Sequence, residues 1–226
     1  MKDVYEAIDG SRYKRIFVVG DLHGCFSELN NEMYKVQFDT ETDLLISVGD
    51  LIDRGTQNLE CLQLLNEPWF KAVMGNHEEM ALNAITAEPK TTEADNLFFH
   101  WFRNGGTWFA EQSVEDIDKS IELFHKVAQL PYLIEVTIDD KKVVIGHADY
   151  PSNTYEFGKP VDLTDVVWNR DRMVRNQNSR SVVITGADSF YFGHTPVKDP
   201  KQFKNQNYID TGAVFANGRL TLVQIK

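Results

Sequence analysis

A chain of 226 residues that is 42% hydrophobic and 25% charged carries enough apolar material for one substantial core. Its formal charge of −11 argues against a nucleic-acid backbone as the main partner, because such binding depends on Lys and Arg neutralising phosphates. No apolar stretch approaches the roughly 20 residues needed to span a bilayer, the polar segment Met1 to Arg15 is not a signal peptide, and Cys25 and Cys61 form neither a ligand-type spacing nor a disulfide framework. A cytoplasmic protein with reduced thiols and no membrane contact is the expectation.

In chain order, Ile16 to Val19 is a β-branched run that reads as a buried strand. It stops at Gly20-Asp21-Leu22-His23-Gly24, where alternation along extended backbone lets Asp21 and His23 point to one side. Cys25 to Gln37 has helical spacing. Leu44 to Val48 is a second strand, ended by Gly49-Asp50-Leu51-Ile52-Asp53-Arg54-Gly55, after which Asn58 reads as the cap of a helix closed by Pro68. A third strand, Lys71 to Met74, runs into Gly75-Asn76-His77-Glu78 and a helix to Ala87. Three repeats of strand, glycine, polar cluster and helix predict an α/β arrangement with parallel strands whose end loops gather on one edge.

The middle of the chain is plainer. Thr86 to Asp95 reads as a polar loop, and Phe98, Phe99, Trp101, Phe102, Trp108 and Phe109 as an aromatic cluster for which buried packing is favoured over a substrate groove. Ser113 starts a helix that continues to Pro131. His100 and His125 lie in helical patterns without partnered carboxylates and are left out of the site. Tyr132 to Ile138 and Lys142 to Ile145 predict a hairpin turned at Asp139-Asp140, its second arm ending in Gly146-His147. Trp168-Asn169-Arg170 follows a short helical stretch, and Asn176 to Arg180 reads as a loop. Phe190 to Phe192 is a strand ending in Gly193-His194, and a last hairpin is predicted from Tyr208 to Phe215 and Leu220 to Ile225 around Asn217-Gly218. With no repeat and no linker, residues 1–226 are read as a single catalytic domain, monomeric by default.

Five strand ends thus deliver Asp21 and His23, Asp50 and Asp53, Asn76 and His77, His147, and His194. These are oxygen and nitrogen donors without a thiolate, a set suited to Mn, Fe, Zn or Ni. They are too many for one tetrahedral ion and about enough for two, with Asp50 the natural bridge. Paired ions roughly 3.5–4 Å apart share a hydroxide and stabilise in-line displacement at phosphorus. Arg54 and Arg170 fit the same chemistry, since guanidinium forks grip phosphate oxygens through paired hydrogen bonds. A cysteine nucleophile in a phosphate loop would want Arg six positions downstream, where Asn31 and Glu67 stand instead.

Gly20-Asp21-x-His23-Gly24, Gly49-Asp50-x-x-Asp53-Arg54-Gly55, Gly75-Asn76-His77-Glu78, Gly146-His147 and Gly193-His194-Thr195 together resemble the signature of the calcineurin-like metallophosphoesterases. The likeness is closer to the branch containing the bacteriophage lambda serine/threonine protein phosphatase and its enterobacterial relatives. It includes His147-Ala148-Asp149-Tyr150-Pro151, Trp168-Asn169-Arg170 and Tyr208 to Phe215. The resemblance implies two stacked mixed β-sheets flanked by α-helices. It implies that Asp21, His23 and Asp50 hold one divalent ion and Asp50, Asn76, His147 and His194 a second, with manganese the expected metal. His77 would be the general acid held by Asp53, and Arg54 and Arg170 would bind the phosphate of a phosphorylated protein or peptide. Met74 stands where relatives often carry Arg. A symmetrical bis(5'-nucleosyl)-tetraphosphate hydrolase, which shares these motifs, is the rival reading; a catalytically silent scaffold is the non-enzymatic one.

Overall fold

The computed structural model describes residues 3–226. Its elements run β1 (Tyr5–Asp9), β2 (Ile16–Val19), α1 (Phe26–Lys35), β3 (Leu44–Ser47), α2 (Asn58–Gln63), β4 (Phe70–Ala72) and α3 (Asn76–Thr86). There follow α4 (Thr92–Trp101), α5 (Trp108–Glu111), α6 (Val114–Val127), β5 (Leu133–Ile138), β6 (Lys141–Gly146), α7 (Leu163–Trp168), α8 (Asp171–Gln177), β7 (Ser189–Phe192), β8 (Lys201–Phe203), β9 (Gln206–Tyr208) and β10 (Leu222–Gln224).

The period-two pattern sorts the strand residues between two apolar layers. Ile16 and Val18 of β2 and Leu44 and Ile46 of β3 meet Ile134, Val136, Val143 and Ile145 from β5 and β6, so these residues form the layer between two sheets. Phe17, Val19 and Leu45 turn the other way, onto Leu29 of α1, Leu62 of α2 and Ala81 of α3. One sheet has four strands in the order β10-β2-β3-β4 and the other six in the order β1-β5-β6-β7-β9-β8. Both are mixed: β2, β3 and β4 are parallel with β10 antiparallel, while parallel β6, β7 and β9 are flanked by antiparallel pairings. The parallel arrangement expected from the first three units therefore describes part of each sheet.

Several local expectations change. β1, which falls in the stretch taken as merely polar, pairs in parallel with β5; only Ile8 of its five residues is buried, so its sequence carries little apolar signal. Asn58 is not a helix cap. It is the first residue of α2, and its side chain accepts the Asp53 N–H at 2.7 Å and donates to the Gly55 carbonyl at 2.8 Å. The polar stretches at 92–95 and 176–177 belong to α4 and α8.

The β5/β6 hairpin forms as expected, with Asp139 at φ 52° in its turn. The second expected hairpin does not. A turn closes at Gly218, whose N–H bonds the Phe215 carbonyl, but β9 is claimed by β7 and β8 while β10 pairs with β2 in the other sheet. The turn signal is real; its two arms serve different sheets. Met74 is buried in the core, with its N–H on the Pro131 carbonyl.

Candidate active site

The two sheets meet at their strand ends, and the polar clusters meet there with them. After β2 and β3 the chain makes two loops that zip together: the Leu22 and His23 N–H groups donate to the Asp50 carbonyl at 3.0 and 2.8 Å, and Gly24 N–H to the Leu51 carbonyl at 2.9 Å. Gly49 and Asp50 have φ of 94° and 52°, and Asp53 and Arg54 of 78° and 71°, left-handed backbone that non-glycine residues resist. The first of these pairs is held by Glu78 in the first turn of α3. Its fully buried carboxylate accepts the N–H groups of Asp50 and Leu51 at 2.8 Å each and of Gly75 at 3.1 Å. Burial, and then the neighbouring Asp50, push its pKa up to about 7.

Asp50 occupies the centre. Its Oδ1 accepts the His77 N–H at 3.0 Å and lies 3.4 Å from His147 Nε2, while its Oδ2 lies 3.6 Å from His23 Nε2 and 4.0 Å from His77 Nε2. The Nδ1 atoms of His23 and His147 sit 2.8 Å from the Ile52 carbonyl and 2.7 Å from the Val48 carbonyl. Carbonyls only accept, so these nitrogens carry the ring hydrogen and each Nε2 is aimed inward, the arrangement that metal-bound histidines adopt. Asn76 Oδ1 lies 2.9 Å from both His147 Nε2 and His194 Nδ1. Asp21 reaches across from the other sheet, its carboxylate accepting the His194 N–H at 3.1 Å. A Cβ at Gly193 would collide with Asp21 Oδ1, so the close approach of the β2 and β7 loops calls for glycine there.

Charge is concentrated out of water. Burial, reinforced by Asp210, holds the Asp21 carboxyl well above the ordinary range. Asp50 is held well below it, because its histidine neighbours, His147 foremost, outweigh its own burial. His147 rises to about 10 because Asp50 outweighs burial, whereas burial pulls His23 and His194 down to about 3. The donor set fits divalent ions. His23, Asp50 and His77 offer atoms within 4.8 Å of one another, as do Asp21, Asp50 and His147. Each oxygen of Asp50 faces a different histidine, as a carboxylate shared by two cations would.

Every residue expected at the site lies in this cluster or on its rim. Asp53 is fully buried and places Oδ2 2.7 Å from His77 Nδ1. Arg54 Nη1 is 2.6 Å from His23 Nε2, and Arg170 Nε donates to His194 Nε2 at 3.2 Å, so the two guanidinium groups flank opposite ends. His100 and His125 are exposed and have no part in it.

Sequence reasoning missed three contributors. Glu78 lay within a recognised motif without a role. Asp210 is 3% exposed, and burial raises its pKa; it follows β9 and precedes Gly212, the same strand-end signal as Asp21. The aromatic cluster is more than packing: the Trp101 and Trp108 indoles donate to Asp53 at 2.9 and 2.7 Å.

A profile of the calcineurin-like phosphoesterases matches residues 14–210. "Serine/threonine-protein phosphatase 1" of Salmonella typhimurium is 44% identical over 225 residues, covering 100% of this chain and 98% of its own. The symmetrical bis(5'-nucleosyl)-tetraphosphatase of Pasteurella multocida is 47% identical, but over 88 residues that make up 37% of this chain and 32% of its own. Among solved structures, one provisionally named a diadenosine tetraphosphatase superposes with a TM-score of 0.66 over 99% of this chain and 94% of its own, at 20% identity. That likeness speaks for the fold alone.

Proposed function

Because the chain belongs to the calcineurin-like phosphoesterase family, we propose that its buried Asp/His/Asn cluster is the metal centre of a serine/threonine protein phosphatase hydrolysing phosphomonoesters in proteins. The observation that carries this reading is Asp50, with one oxygen toward His23 and the other toward His147. Asp21, His23 and Asp50 would hold one ion and Asp50, Asn76, His147 and His194 the other, manganese being the first choice for such a mixed nitrogen and oxygen set. Bound there, two divalent ions would supply Lewis-acid polarisation of the phosphoryl group and activation of an attacking water.

The chain's own groups do the rest. Arg54 and Arg170, on the rim, orient the phosphate and offset its charge. His77, its Nδ1–H held by buried Asp53, presents Nε2 to protonate the departing alcohol oxygen. No cysteine competes as nucleophile: burial raises the Cys25 thiol to about 11 and Cys61 well above its ordinary range. Because the cluster draws on strand ends of both sheets, residues 1–226 act as one catalytic domain.

The sequence likeness to tetraphosphatases covers from 36% to 60% of the chain, against 100% for the serine/threonine-protein phosphatase, which favours phosphoprotein over dinucleotide substrates. The test is metal-free protein reconstituted with manganese and assayed side by side on a phosphoserine peptide, an aryl phosphate and diadenosine tetraphosphate. Turnover is expected on the first two. Full activity and metal content in Asn76→Ala or His194→Ala would remove the assignment.

A further inference from the structure

We propose that the aromatic turn from Trp101 to Trp108 is a positioning clamp for the Asp53–Arg54 corner, rather than a packing element. The inference rests on the roles given above to Arg54 and His77. Asp53 and Arg54 are consecutive non-glycine residues at φ 78° and 71°, a geometry that needs outside support. Asn58 fixes the corner from within α2 by accepting the Asp53 N–H. The remaining support comes from the far side, about fifty residues along the chain.

There α4 widens into a π-turn at Phe102–Gly106, with Gly105 at φ 111°. Such turns re-aim groups that a regular helix would spend on itself. The Gly105 carbonyl accepts the Arg54 N–H at 3.2 Å. The contact is close enough that a Cβ on Gly105 would meet Arg54 N and Cγ at 2.8 Å. On either side of this carbonyl, the two indoles converge on one carboxylate. Trp101 Nε1 lies 3.0 and 2.9 Å from Asp53 Oδ1 and Oδ2, and Trp108 Nε1 lies 2.7 Å from Oδ1. Trp108 thus holds Oδ1 and Trp101 bridges both oxygens, which fixes the carboxylate with Oδ2 turned to His77 Nδ1.

One short segment therefore sets two things: the backbone from which the Arg54 guanidinium reaches the phosphate, and the rotamer of the carboxylate that orients His77. Trp101 cannot drift, because it is fully buried against Phe109 and Phe124.

The two contacts make separable predictions in the manganese-loaded full chain. Gly105→Ala displaces Arg54, so the inhibition constant of inorganic phosphate and the KM for a phosphoserine peptide should rise about tenfold, with kcat changed less. Trp108→Phe keeps the ring and removes the N–H. Its kcat on the phosphoserine peptide should fall about tenfold, with less than about a threefold loss on an aryl phosphate and a steady KM. A merely structural role would lower all these quantities together, or none, and either result overturns the clamp.

Arg54→Ala and His77→Asn separate this inference from the one beneath it. If those two variants behave like the parent, the roles of Arg54 and His77 fall and the clamp falls with them. If they are impaired while Gly105→Ala and Trp108→Phe are not, the clamp alone is wrong. Should Trp108→Phe not fold, the indole N–H resonances of the parent decide. Slowed hydrogen exchange and a shift of both signals in Asp53→Asn support the clamp, and a freely exchanging Trp108 indole overturns it.

Discussion

His77 is where a proton donor and a metal ligand would be told apart most directly. Its Nε2 lies 4.0 Å from Asp50 Oδ2, in the same group as His23, while its Nδ1 is taken by Asp53. As a general acid, His77→Asn should keep its manganese and lose roughly 10²–10⁴ in rate on a phosphoserine peptide, the range typical of such catalysis. On an aryl phosphate, whose leaving group hardly needs a proton, the loss should shrink. Metal analysis alongside the kinetics checks this, and lost metal would make His77 a ligand. Gly193 makes a second residue-scale case. A methyl there would collide with Asp21 Oδ1 and lie 2.6 Å from a Val48 methyl. Gly193→Ala should weaken manganese binding at least tenfold by displacing Asp21, an outcome that titration calorimetry reads.

At the scale of elements, the site depends on loops that are rigid for identifiable reasons. Glu78 braces the β3 loop, the β2 and β3 loops share hydrogen bonds, and an ion pair anchors the base of β3. Arg15 Nε donates to both oxygens of the buried Asp43 carboxylate at 3.1–3.2 Å, and its other nitrogens reach the Val36 and Gln37 carbonyls at the end of α1. Burial would raise the Asp43 carboxyl, but the Arg15 hydrogen bonds and charge, with the Asp39 N–H, together outweigh it and the pKa lies below the usual value. A carboxyl depressed by folding contributes stability above its unfolded pKa and loses it as the pH falls through the folded one. Asp43→Asn should therefore be less stable by about 1.5–3 kcal/mol near neutrality. The gap between variant and parent should narrow as the pH falls below the ordinary carboxyl range, in denaturant titrations at each pH.

Across the whole molecule the proposed metal centre would also fasten the two sheets together. Asp21, Asp50 and Asn76 come from one side, His147 and His194 from the other, and three carboxylates including Asp210 are buried together. Manganese at a hundred times its dissociation constant should add about 2.7 kcal/mol to stability, lost on chelation. His194→Ala should forfeit most of that increment, as thermal melts with and without metal would show.

The strand ends and the donor side chains that follow them were legible in the sequence. A β-branched run, a glycine that ends it and a donor just beyond are local features governed by side-chain alternation and backbone freedom. Local signals could not say which sheet a strand joins: Asn217-Gly218 turns the chain as its residues dictate, yet β9 and β10 part, because β9 stays with its neighbours β7 and β8 while β10 pairs with β2 near the other end of the chain. Nor could they reveal that Trp101 and Trp108 donate to Asp53, or that Asp210 lies beside Asp21. Hydrogen bonding and burial between segments fifty to two hundred residues apart exist only once the chain has folded. The donor side chains were thus written locally, while their meeting point and its bracing were decided by packing.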